Sequence, residues 1–103
     1  MDVTKLDFDA DVMLSGLQSW VLCESPSYEP TAVNRMQDIA AHHLAMMGAN
    51  VELIKSHPLA GVCIRARFPH PEAGTPGILI LGHMDTVHPI GTLDKLPIRR
   101  DGN

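Results

Sequence analysis

His83 and Asp85 stand two residues apart at the end of a short aliphatic run, Ile78-Leu79-Ile80-Leu81-Gly82-His83-Met84-Asp85. The residue types matter chemically. A neutral imidazole can give a ring nitrogen to a metal ion. A carboxylate at this spacing can be a second ligand, or it can take the ring's other N–H and so fix the tautomer and orientation of a ligand histidine. Both roles stay open on the residues alone. So does a simpler one, in which these are the solvated polar residues of a strand end. Short patterns of this kind arise by chance, and the local sequence ranks the chemical and the solvated readings equal.

The elements that must position the pair are legible around it. Four successive aliphatic residues between Gly77 and Gly82 read as a strand, and an unbroken apolar run reads as one buried on both faces of an α/β sheet. Such folds place ligands just past the carboxyl ends of their strands. Gly82 is expected to allow a tight turn before His83. Upstream, Asp9 is a good helix N-cap, and Asp11 in the first turn suits the helix dipole. Phe8 and Met13 have the spacing of a hydrophobic staple. Leu14, Leu17 and Val21 recur on one face with Met13 and Trp20 alongside, which predicts a core-facing helix over 10–24 that stops before Pro26.

Ser25-Pro26-Ser27-Tyr28-Glu29-Pro30 reads as a turn-rich connection, with Pro30 in the first turn of a second helix. Val33, Met36, Ala40, Leu44 and Met47 line one face of that helix, and Gly48 closes it. His42 and His43 point about 100° apart on a helix, so they form no metal pair and read as surface or half-buried residues. Residues 50–54 and 62–68 alternate as two strands of a hairpin, with Val51 and Leu53, and Val62, Ile64, Ala66 and Phe68, on the covered faces. Arg65 and Arg67 share the polar face. His57 and His70 fall in loops and read as solvated. Residues 93–97 read as a loop or short turn, residues 98–101 as the start of a strand, and Gly102-Asn103 has turn chemistry.

Composition bounds the alternatives. The 103 residues suit one small domain, and 45% hydrophobic with 19% charged residues is ordinary for a globular chain. A net charge of −4, from 8 basic and 12 acidic residues without a basic cluster, argues against nucleic acid or an anionic membrane as partner. No apolar run approaches the ~20 residues of a membrane span. The stretch from Met1 to Asp11 holds one Lys and four Asp, the wrong sign for a secretory leader, so the expected location is cytoplasmic. Cys23 and Cys63 lack metal-ligand spacing and read as small buried hydrophobes in a reducing compartment. One sheet strand buried on both faces needs helices on both sides. Two helices do not supply them, so the chain is expected to be part of a larger domain.

The order of features resembles one family. A first helix leads into Glu24-Ser25-Pro26-Ser27, a second ends in Met47-Gly48-Ala49-Asn50-Val51-Glu52, a hairpin follows, and then Ile78-Leu79-Ile80-Leu81-Gly82-His83-Met84-Asp85-Thr86-Val87. This is similar to the N-terminal part of the M20 zinc metallopeptidases and deacylases. The continuation Asp85-Thr86-Val87-His88-Pro89-Ile90-Gly91-Thr92 resembles the glutamate carboxypeptidase branch. The resemblance spans about residue 10 to 103. It implies an α/β fold: the N-terminal portion of a zinc-peptidase catalytic domain, two helices followed by a hairpin and the central buried strand of a mixed sheet. The whole of 1–103 would be an incomplete catalytic domain, with the lid or dimerisation domain and most metal ligands absent.

The resemblance also implies chemistry. His83 matches the first zinc ligand, and Asp85 the catalytic carboxylate two residues on. Two zinc ions would be bridged by an Asp expected beyond Asn103 in an Asp-x-Lys-Gly-Gly stretch, with a Glu-Glu pair further on. The function implied is hydrolysis of the amide bond of a C-terminal or N-acyl amino acid, in a hydrolase that can be a homodimer at full length. A catalytic zinc takes three protein ligands and an open position, so the chain alone is expected to be inactive. The alternative, from a different class, is an interaction or decoy module docking through an exposed sheet edge, without catalysis.

Overall fold

The computed structural model describes residues 2–102. Met1, and Asn103 of the expected terminal turn, lie outside the described residues. A single 3-10 turn at Val3–Lys5 precedes α1 (Ala10–Val21), α2 (Pro30–Met46), β1 (Asn50–Ile54), β2 (Cys63–Arg67) and the short α3 (Thr92–Lys95).

Helix α1 begins as its sequence dictates. The Asp9 carboxylate accepts from the backbone N–H groups of Asp11 and Val12, satisfying two of the donors that a helix start leaves free. The helix closes three residues before the expected boundary. Its apolar stripe is not core: Met13, Leu17 and Val21 are exposed, and no residue of α1 is fully buried. Phe8 and Met13, the expected staple, are both exposed. Leu14 and Trp20 are half-buried, Trp20 donating from Nε1 to His43 Nδ1 at 2.8 Å and stacking on that ring.

Helix α2 is the centre of the small core. Ala32, Val33, Met36 and Ala40 on it are buried, with Ala49 just beyond. Pro30 opens it, and Gly48 leaves it with φ 97°, a left-handed conformation that suits glycine. The helix lies against the β1–β2 hairpin, which is antiparallel with Leu53 opposite Ile64 and Glu52 opposite Arg65. On the covered face Val51, Ile64 and Ala66 are half-buried, while Leu53 is more than half exposed. On the other face Arg65 donates from Nε to Glu52 at 3.1 Å, so its charge has a cross-strand partner. The hairpin's returning end is pinned to α2 by Val62 N–H donating to Asn34 Oδ1 at 2.8 Å.

Further expectations are corrected. Residues 78–81 are not a buried central strand: they pair with nothing in the two-stranded sheet, and Ile78, Leu79, Ile80 and Leu81 are 79–95% exposed. The physical reason is the one that made the expectation demanding. A strand covered on both faces needs neighbours on both edges, and the hairpin with one covering helix does not provide them. Residues 98–101 form no strand, while the loop or short turn expected over 93–97 begins within the single helical turn α3. Cys63 is exposed on β2 and Cys23 half-buried, so neither is a buried hydrophobe. The coarse class stands: helices with a small sheet, in an α/β arrangement.

Candidate functional site

The site is built where two loops meet. The first, residues 24–27, links α1 to α2. The second, residues 83–92, runs from the aliphatic stretch to α3. Pro26 and Thr86 form a parallel bridge, in which Thr86 N–H donates to Ser25 O and Ser27 N–H to Thr86 O, each at 2.9 Å. Side chains extend it. The Ser25 hydroxyl, 2% exposed as a residue, donates to Met84 O at 2.6 Å. The Ser27 hydroxyl donates to Asp85 Oδ2 at 2.6 Å, with Thr86 O at 3.0 Å as a second, longer acceptor.

Glu24 holds the far end of the second loop. Its carboxylate accepts from Gly91 N–H at 2.8 Å and from Thr92 N–H at 3.1 Å. These are charge-assisted bonds to the N–H groups at the start of α3, of which Thr92 N–H also reaches Pro89 O at 3.2 Å. Gly91 sits there at φ 93°, where a side chain would be strained.

Asp85 and His83 face each other. His83 Nδ1 lies 2.9 Å from the Asp85 backbone carbonyl oxygen and 3.3 Å from Asp85 Oδ1. Both oxygens can only accept, so the contact requires the proton on Nδ1. That leaves the lone pair on Nε2, on a side chain 83% exposed. The Ser27 hydroxyl bond holds the Asp85 carboxyl below its ordinary range. Partial burial opposes this, and Asp85's own backbone and the His83 ring add smaller lowering effects.

The two residues singled out from sequence are thus brought together, and the geometry is that of a carboxylate-oriented imidazole. His83 fits one metal-ligand position. The described residues do not complete a zinc site: no group of three His, Cys, Asp or Glu side chains among them could hold a metal. Of the other histidines, His88 lies on the second loop, its backbone N–H 3.4 Å from Thr86 Oγ1; His43 is bonded to Trp20, and Nδ1 of His57 and of His70 accepts a nearby loop N–H at 3.1 Å.

Sequence reasoning did not single out Glu24, Ser25 and Ser27 as individual residues. Locally they are turn-formers before a helix, and nothing in 24–30 announces a partner about sixty residues away. Beside the bridge a small hollow of about 180 Å³ is lined by Pro26, Ser27, Tyr28, Glu29, Thr86 and Ile90 among others. No family model matches the chain, and neither a curated protein nor a solved structure matches it. No helix among the described residues is long and apolar enough to cross a membrane.

Proposed function

We propose that the chain carries the first metal-ligand loop of an M20-like zinc metallopeptidase or deacylase. In this reading residues 1–103 are the N-terminal part of a larger α/β catalytic domain. The observation that carries it is the His83–Asp85 geometry: an imidazole with Nδ1 held by two acceptors of one aspartate and Nε2 left free and exposed. His83 offers Nε2 to a zinc ion, and Asp85 fixes the ring that offers it. When bound, zinc supplies activation of water and of the scissile carbonyl. The remaining ligands, including the bridging Asp of a second zinc, come from outside these residues.

The exposed run 78–81 supports the same reading, because it has the composition of a covered strand and lies bare. The substrate class is a small peptide or N-acyl amino acid with a free carboxylate, in the manner of glutamate carboxypeptidases. The full-length protein is a cytoplasmic hydrolase and can form a homodimer. The test is the purified product of the complete reading frame containing residues 1–103, assayed for amide hydrolysis before and after chelation and zinc return. Hydrolysis lost with the metal and restored by zinc is expected. Asp85→Asn should retain metal but lower the rate about 10–100-fold, as second-shell changes do. A chelator-insensitive product, or an Asp85→Asn rate close to the wild type, counts against the proposal.

A second reading is favoured by the same bare stretch. Unpaired and aliphatic, 78–81 is suited to adding itself to the sheet edge of another chain, without any catalysis. It predicts oligomers and no tightly held zinc.

A further inference from the structure

We propose that Ser25 and Ser27 are positioning residues that select the tautomer of His83. An extended backbone turns successive peptide groups to opposite sides, and a parallel bridge uses the groups of alternate residues. On residues 84–86, Met84 O, Thr86 N–H and Thr86 O all face the 25–27 segment, bonded to Ser25 Oγ, Ser25 O and Ser27 N–H. The Asp85 carbonyl is thereby left to face away, and it meets His83 Nδ1 at 2.9 Å.

The Asp85 side chain is set by the second serine. Ser27 Oγ has one proton and two acceptors in reach, and the contact with Asp85 Oδ2 at 2.6 Å is shorter than that with Thr86 O at 3.0 Å. With Oδ2 tied down, Oδ1 turns to His83 Nδ1 at 3.3 Å. The two hydroxyls therefore present both acceptors of Asp85 to one ring nitrogen. A ring facing two acceptors keeps its proton on Nδ1, and Nε2 is the nitrogen free to bind. This serves the zinc-ligand reading above, but the tautomer can be observed whether or not that reading holds.

The test uses the 103-residue chain labelled with ¹⁵N at histidine, metal-free, at about pH 8, where an ordinary histidine is neutral. The imidazole nitrogen shifts report which nitrogen is protonated. Free imidazole side chains favour the Nε2–H form. The wild-type chain should show His83 mainly as Nδ1–H, and Ser27→Ala should move it to mainly Nε2–H. Ser27→Thr, which keeps the hydroxyl, should retain the wild-type form. Far-ultraviolet circular dichroism separates loss of the fold from loss of position. Should Ser27→Ala unfold, wild type and Ser27→Thr still decide. His83 as mainly Nε2–H in either, or a folded Ser27→Ala with the wild-type tautomer, overturns the proposal. Failure of the hydrolase reading would appear separately, as an intact tautomer effect in a protein whose complete form neither binds zinc nor hydrolyses amides.

Discussion

A carboxylate that accepts from a hydroxyl and faces an imidazole is biased toward its ionised form. For Asp85 this has a defined pH consequence. Its folded pKa lies below its unfolded value, so the stability it contributes is full above the unfolded carboxylate range, about 3.9, and is lost as pH falls through the lowered folded value. Ser27→Ala removes the main cause. Urea midpoints of wild type and Ser27→Ala should therefore differ at neutral pH and converge in acid. A gap that stays constant down the acid limb would show that Ser27 does not act on this charge. Ser25 gives a cleaner number because it is 2% exposed. Ser25→Ala leaves Met84 O without its donor and should cost about 1–2 kcal/mol in equilibrium unfolding.

At the scale of elements, what was legible was local. The Asp9 cap, the Pro30 start and Gly48 end of α2, and the alternation in 50–54 and 63–67 each follow from residues within a few positions. What was not legible depended on distant partners. The face of α1 reads as core by period, yet it is bare because α2 already covers the hairpin. The Glu24, Ser25 and Ser27 contacts join segments that no local pattern relates. Two substitutions test the elements. Asp9→Ala should cost about 1 kcal/mol and lower helicity, through loss of the α1 cap. At Gly61 an added Cβ would clash with the Val33 side chain on α2, so Gly61→Ala should destabilise by about 1–3 kcal/mol in urea unfolding. An unchanged midpoint in Gly61→Ala would mean that the hairpin loop does not approach α2 as described.

At the scale of the whole molecule, the surface is too large for its mass. The chain exposes 8801 Å², against roughly 5,700 Å² for a compact monomer of 11.2 kDa. Its radius of gyration is 16.3 Å, against about 13 Å for a compact chain of about 100 residues. The excess, roughly 3,100 Å², is larger than the roughly 1,000–2,500 Å² that each partner gives to an obligate interface. The uncovered apolar face of α1 and the run 78–81 contribute to it. The 103-residue chain should therefore self-associate with rising concentration in sedimentation velocity, and Ile80→Lys should reduce that association. A chain that stays monomeric at all concentrations would contradict this account of its bare surfaces.

The central claim is that His83 binds zinc through Nε2 in a hydrolase this chain helps to build. The most direct measurement is the zinc content per chain of the complete reading-frame product, wild type beside His83→Ala, purified identically. The account predicts bound zinc in the wild type and a clear loss of zinc together with hydrolysis in His83→Ala. Equal zinc in the two proteins, or none in either, would contradict it.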